Sequence, residues 1–283
     1  MWLLLTFISV ISRAVYGVMT KVLSSKMNVS IYTQALLPSV YAMLISIIVL
    51  LVGKMEFSVE KGNMMLVLLV VIPQGLGNIV YYKAMQYLTS GTAQISFSSI
   101  LGFNVILSMI FLHYRLSVVN SIGIILLALA ILSVAHGRIE FHPKGVALMI
   151  FSTFLFSIFQ LATAQLSPFV STMAYLIISY SGAALVVFVM KSNIIVQDIS
   201  KLLNNKKLLL IPLFTALPSL GNFLFAYYAY RAAPEPAKVA MLLTSQTVFA
   251  VIISYFFLKE REHVLRKIFA ALLVLASAVL IKA

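Results

Sequence analysis

The sequence predicts an all-α polytopic membrane protein of ten transmembrane helices, built as two inverted five-helix repeats. Three observations carry that expectation. The 283 residues are 62% hydrophobic and only 10% charged, with a mean hydropathy of +1.08, more apolar surface than a soluble domain can show to water. At about 20 apolar residues per crossing, this length holds about ten spans with short connections and no separate soluble domain. The second half also reads as a worn copy of the first: at an offset of about 146 residues, Thr244-Ser245 falls on Ser98-Ser99, Phe249 on Phe103, Phe257-Leu258 on Phe111-Leu112 and Arg261 on Arg115.

Backbone groups find no water in hydrocarbon, so spanning segments are helices or a closed barrel; continuous apolar runs without alternation select helices. The first span, 2–24, opens at MWLLLTFISVISR, which has no basic leader and is expected to be a retained helix, not a cleaved signal. Spans 30–53 and 63–87 are separated by the polar Gly53-Lys54-Met55-Glu56. Thr89-Ser90-Gly91 is a tight link that turns the chain back into 91–113, and 117–136 completes the first set. The polar run His136-Gly137-Arg138-Ile139-Glu140 divides the repeats, 1–138 and 139–283. The second set is 144–166, 169–190, 208–230, 236–258 and 264–282, with Lys201 to Lys207 as a break too polar to leave in lipid.

Other pairings extend the duplication. Gly75-Leu76-Gly77-Asn78 matches Ser219-Leu220-Gly221-Asn222, and Ser9, Thr20 and Ser24 match Ser152, Thr163 and Ser167. Five spans per copy is an odd number, so the second copy enters the membrane from the opposite side. Inverted repeats of this kind are a transporter signature, because exchanging the conformations of two similar halves moves a central site from one side of the membrane to the other.

The net charge of +13 would suggest nucleic acid in a soluble protein; here most basic residues sit at span ends, where they anchor and orient, and no nucleic-acid partner is expected. Thirteen of them, from Lys21 and Lys26 to Arg266 and Lys267, fall towards one face, against six, Lys54, Lys61, Arg115, Arg231, Lys238 and Lys282, towards the other. The positive-inside rule then puts both termini outside, in the plasma (inner) membrane of a bacterium or archaeon.

At the end of the ninth span, Ala237-Lys238-Val239-Ala240 leads into a long apolar helix closing on Phe257-Leu258-Lys259-Glu260-Arg261. Together with the two five-helix copies over essentially the whole chain, this resembles the drug/metabolite transporter superfamily in its ten-helix EamA-like branch. The first copy departs from that pattern, because Leu112-His113-Tyr114-Arg115 lacks the Glu. The resemblance implies transport by alternating access through a central cavity lined by spans one, three, four, six, eight and nine. It also implies termini in the cytoplasm, against the charge count.

All seven acidic residues, Glu56, Glu60, Glu140, Asp198, Glu235, Glu260 and Glu262, are placed by the sequence in connections or at span ends. A drug/proton exchanger resembling the small multidrug relatives needs a carboxylate deep in the membrane, so that mechanism is disfavoured. Basic residues do enter the spans. Arg13 reads as an anion contact or as a snorkelling side chain. Lys238 resembles in position the phosphate-binding basic residue of nucleotide-sugar and triose-phosphate translocators, or else reaches water from a first helical turn. Ser9, Arg13, Tyr16, Thr20 and Ser24 recur at three-to-four spacing on one face of the first span. Gln74, Asn78, Tyr82 and Lys83 crowd one end of the third span, Thr153, Gln160 and Thr163 mark the sixth, Asn222, Tyr227 and Tyr228 the eighth, and Ser245 and Gln246 the ninth. Arg13, Tyr16, Asn78, Tyr82, Ser98, Gln160, Asn222, Tyr228, Lys238 and Gln246 are the substrate-binding candidates. For the amides the competing role is helix–helix bonding, and for the tyrosines an interface belt.

The absence of cysteine excludes disulfides, thiolate metal sites and cysteine nucleophiles. His113, His136, His142 and His263 lack metal-ligand spacing, and no phosphate-cradling glycine loop or acidic Mg-binding pair appears, so neither catalytic residue, cofactor nor metal is expected. The expected partners are a small-molecule substrate and the bilayer, with proton or counter-substrate coupling and a monomeric or homodimeric state left open. The leading substrate is a small polar metabolite, an amino acid or related organic anion. Alternatives are phosphorylated metabolites or nucleotide sugars, and export of amphipathic cations held by an aromatic cage. An intramembrane lipid-modifying enzyme or a non-transporting scaffold would be a different class; neither explains an inverted duplication as directly.

Overall fold

The computed structural model describes residues 1–60, 63–112, 117–135, 142–233, 239, 242–243 and 245–282. Its helices are α1 (Trp2–Lys26), α2 (Ile31–Val52), α3 (Met64–Met85), α4 (Ser90–Phe97), α5 (Ile100–Leu112), α6 (Val118–Ala135), α7 (Pro143–Leu166), α8 (Thr172–Leu203), α9 (Leu210–Ala232), α10 (Gln246–Phe257) and α11 (Val264–Lys282). Eight segments are long and apolar enough to cross a membrane, with α4 and α5 acting as one crossing, and α6 and α10 are shorter apolar helices. Ten crossing positions result. The proposed boundary between repeats, 138 to 139, lies outside the described residues.

Helix starts in lipid need side chains to satisfy their free N–H groups, and the sequence supplies them. Ser30, Thr89 and Ser171 accept from the backbone N–H of Thr33, Thr92 and Ala174 and so cap α2, α4 and α8. Between α4 and α5 the ladder tightens: the N–H of Ser99 donates to Ser96 and that of Leu101 to Ser98. The ninth span does the same at the matching place, where the N–H of Ser245 donates to Leu242 and that of Val248 to Ser245. The duplicated Ser98-Ser99 and Thr244-Ser245 pairs thus fall at matching irregularities.

Packing follows the duplication. Helix α1 lies along α9, α7 lies along α3, and α2 meets α8 while α6 meets α11. Each pairing joins one copy to the other, and exchanging the copies maps the set onto itself. One pair of bonds makes the relation atomic. The hydroxyl of Ser9 donates to the carbonyl of Asn222 (2.9 Å), and that of its counterpart Ser152 donates to the carbonyl of Gly77 (3.0 Å). Glycine permits the close crossing of α3 and α8: a Cβ on Gly182 would lie 2.3 Å from Val71 Cγ2, and one on Gly75 would lie 2.7 Å from Val186 Cβ.

One expectation is corrected. The seventh span does not end near 190; the backbone leaves helical geometry at Lys191 (φ −149°, ψ 46°) and then runs on as helix to Leu203. Ile195, Asp198 and Leu202 form its buried face, and the exposed positions between them are largely polar. That mixture lowers local hydropathy, which is why the stretch reads as a connection. Asp198 therefore sits in a helix, 5% exposed, and accepts from the Ser30 N–H (2.9 Å) and the Thr33 hydroxyl (2.8 Å) at the start of α2. It completes the α2 cap from the other repeat, where a negative charge also suits the helix dipole.

The lysine-rich face is packed shut. Leu23, Met85 and Leu88 are no more than 1% exposed. Lys21 Nζ donates to the Met85 carbonyl at the end of α3 (2.8 Å). The Glu260 carboxylate accepts from the Ser90 N–H (2.8 Å) and the Gly91 N–H (3.2 Å) at the start of α4. A tight α3–α4 turn in the first repeat is thereby held by a carboxylate from the second, and Lys259 and His263, with φ of 56° and 51°, set the turn that presents it. Replacing Glu260 by Ala strands two N–H groups and is expected to cost about 1–2 kcal/mol, with Glu260→Gln, which keeps one acceptor oxygen, falling between. The measurement is the apparent melting temperature of the purified protein in detergent; equal melting of all three forms would show that the cap is not made.

Candidate functional site

Where the two repeats meet, a cleft is lined by Arg13 and Tyr16 of α1, Ala35, Pro38 and Ser39 of α2, Gln74, Asn78 and Tyr82 of α3, Phe156 of α7, Tyr180 of α8, and Ser219 and Phe223 of α9. Its empty space, counted out to the open side, is about 410 Å3, within the range of small-molecule sites. Arg13 lies roughly 16 Å along α1 from one end and 20 Å from the other at 1.5 Å per residue, so it stands near mid-depth.

The state of Arg13 defines the site. Among the described residues its guanidinium makes no hydrogen bond and no ion pair; it rests on the rings of Phe97 (4.6 Å to the centroid) and Tyr16 (5.1 Å). Ring faces attract a cation electrostatically but leave its five N–H donors unused. Those rings belong to a larger packed set. Tyr81 stacks on Tyr16 and meets Phe97 and Phe156 edge-on, and Phe156, Phe159, Phe223 and Tyr180 continue the chain of edge contacts across the cleft. Gln94 anchors it, its Nε2 donating to the Tyr81 hydroxyl (2.9 Å). Gly17 makes room for that amide: a Cβ there would come within 2.3 Å of Gln94 Nε2.

The cleft amides differ in what they have left to offer. Gln74 Oε1 already accepts from Ser179 (2.6 Å), which leaves its NH2 group. Asn78, 8% exposed, makes no hydrogen bond among the described residues and faces the cleft with its amide free. The hydroxyls of Tyr180 and Ser219 bond each other (2.9 Å), and Ser39 donates to the Ala35 carbonyl (3.2 Å).

Of the ten sequence candidates, Arg13, Tyr16, Asn78 and Tyr82 line this cleft. The others sit elsewhere. Ser98 bonds the Thr247 hydroxyl (3.1 Å) at the crossing of the fourth and ninth spans. Gln160 Oε1 accepts from Asn104 Nδ2 (2.9 Å) on an exposed stretch between α5 and α7. Asn222 accepts from Ser9 through both its carbonyl and Oδ1 (2.9 and 3.1 Å). Tyr228 packs edge-on against Tyr227 and is half-buried, Gln246 is half-buried at the start of α10, and Lys238 lies outside the described residues. The sequence did not single out Ser39, Tyr180, Ser219, Phe156 or Phe223. The proline at 38 in mid-span was the nearest signal, since it leaves the carbonyl of Gln34 without its usual donor and marks an irregular point in α2. Two of the lining helices, α2 and α8, belong to the second and seventh spans, which the resemblance did not assign to the cavity.

Ten crossing positions in two copies, joined across a twofold around a cleft at mid-depth, define a multi-pass helical membrane protein of duplicated build. Its two halves, residues 1–135 and 143–282, each match the EamA-like transporter family. The chain belongs to that family, within the drug/metabolite transporter superfamily, and is a membrane transporter. Among solved structures, one titled only as a crystal structure of a protein superposes with a TM-score of 0.68 at 11% identity, covering 98% of this chain and 94% of that one, a likeness of fold. No curated protein matches the sequence.

Proposed function

We propose that the protein is a secondary or facilitative carrier for a small polar metabolite bearing a carboxylate, of the amino acid and organic anion class, bound at Arg13 and moved by alternating access. The observation that carries this is the unpaired guanidinium at mid-depth. A charge in hydrocarbon is expensive and persists where it meets a partner or water. With no carboxylate beside Arg13 among the described residues, a bound anion is the natural partner. Inverted halves supply the motion: rocking one against the other would open the lysine-rich face and close the opposite one. The conformation described here, packed shut at Leu23, Met85 and Leu88, corresponds to the state closed to the lysine-rich face.

The positive-inside rule makes that lysine-rich face the cytoplasmic one, in the inner membrane of a prokaryote. Because the chain has no cysteine, orientation is directly measurable. Lys54→Cys is expected to react with a membrane-impermeant maleimide on intact cells and Lys207→Cys only after permeabilisation; the opposite pattern reverses the orientation.

Counterflow in proteoliposomes, with labelled amino acids, organic acids, phosphosugars and quaternary amines, tests the substrate class, and an imposed pH gradient tests coupling. Arg13→Ala is expected to weaken binding of the transported anion by about 2–5 kcal/mol, roughly 30-fold or more in affinity. Unchanged counterflow in a well-folded Arg13→Ala protein would remove Arg13 from the site. Transport of quaternary amines alone would instead favour the aromatic walls of Tyr180, Phe156 and Phe223 acting as a cation cage.

A further inference from the structure

We infer that the cleft takes a monoanionic carboxylate that carries no ammonium group, and discriminates against the zwitterionic amino acid of the same carbon skeleton. This rests on the carrier reading and narrows its substrate class.

The free groups of the cleft are weighted towards donors. Arg13 offers its whole guanidinium, Gln74 has only its NH2 left, and Asn78 offers an uncommitted amide. The acceptors that remain are neutral oxygens, Asn78 Oδ1 and the hydroxyl of Ser39 after it has donated to Ala35. A carboxylate with a neighbouring carbonyl or hydroxyl oxygen meets donors on each side. An ammonium group would meet a guanidinium and at best two neutral acceptors.

No acid is placed to help an ammonium. Among the described residues, Glu56 and Glu60 lie in the connection between α2 and α3, Asp198 is committed to the start of α2, Glu260 is committed to the start of α4, and Glu262 lies in the turn before α11. The two ring faces nearest the anion contact, Phe97 and Tyr16, already carry Arg13 itself. They are not available as a cage beside a substrate carboxylate.

The net charge of the closed cleft decides between the remaining classes. Arg13 and a monoanion sum to zero, so the loaded cleft can close away from water without a buried net charge. A zwitterion leaves the full charge of Arg13 in place, an amine doubles it, and a phosphate dianion reverses it. Tyr180, Phe156 and Phe223 then supply an apolar wall for the body of the substrate.

The test is counterflow by the full-length protein in liposomes, with protein-free liposomes as the leak control. Two matched skeletons separate charge from body shape. One is phenylpyruvate, phenylalanine, phenethylamine and phenyl phosphate; the other is 4-methyl-2-oxopentanoate, leucine and isopentylamine. The expected result is that at least one oxo acid exceeds its amino acid by about tenfold or more, with the amines and the phosphate near background. Arg13→Gln is expected to abolish oxo-acid counterflow, and Arg13→Lys, which keeps the charge, to retain part of it. Amino acids moving as well as or better than their oxo acids would overturn the inference while leaving the carrier reading intact. Oxo-acid flux unaffected by Arg13→Gln would likewise overturn it. If none of the seven probes moves through protein that melts cooperatively, while a solute of another class does, the inference fails and the carrier reading stands; no flux of any solute sinks both.

Discussion

A guanidinium held at mid-depth with no carboxylate beside it constrains everything around it. Arg13 has to be stabilised without being neutralised, and the structure does this with π-electron faces in place of an acid. Phe97 and Tyr16 take the cation, Tyr81 stacks behind Tyr16, Gln94 fixes Tyr81, and Gly17 lets Gln94 in. These residues come from α1, α3 and α4, so the geometry of one charge depends on how three helices of the first repeat cross. An ion pair would have been simpler to build, but it would have consumed the donors. Cation–π support leaves all five N–H groups for something else.

The duplication gives this protein two of everything and then uses the copies differently. Ser9 and Ser152 make equivalent bonds to the third helix of the opposite repeat, and this fixes the twofold frame. Within that frame Asn78 faces the cleft with a free amide, whereas Asn222 is spent on Ser9. The first copy has Arg13 where the second copy, at the same offset, has Phe156. An inverted repeat supplies the symmetry that a two-sided carrier needs, and divergence between the copies supplies a site that is itself asymmetric. The latches differ as well: the turn before α4 is closed by the Glu260 carboxylate, while the approach to α8 is tied by backbone, the Ser171 N–H donating to the Ser58 carbonyl beside the Val59–Val170 bridge.

Much of the frame was legible in the sequence, because lipid makes a severe demand on hydropathy. Continuous apolar runs located the spans, and the Gly-Asn and Ser-Ser repeats gave the duplication. The stretch after Lys191 was misread because Ile195 and Leu202 alternate with polar residues on an amphipathic turn; hydropathy averages over a helix, and burial of one face does not. The site was only partly legible. A charge inside a span, such as Arg13, declares itself. A serine or tyrosine in a span looks the same whether it faces a cleft, as Ser39 and Tyr180 do, or a neighbouring helix, as Ser98 and Ser179 do. Which of these holds depends on helix rotation, a tertiary property, and the different fates of Asn78 and Asn222 make the same point.

The central claim is that Arg13 is a vacant anion contact at the meeting of two inverted halves. The most direct measurement is an experimental density map of the transporter at saturating concentration of an anion it moves. The account predicts anion oxygens within hydrogen-bond distance of the Arg13 guanidinium, with the Asn78 amide in reach of the same molecule. An ordered substrate bound elsewhere, with Arg13 paired to a carboxylate of the protein, would contradict it.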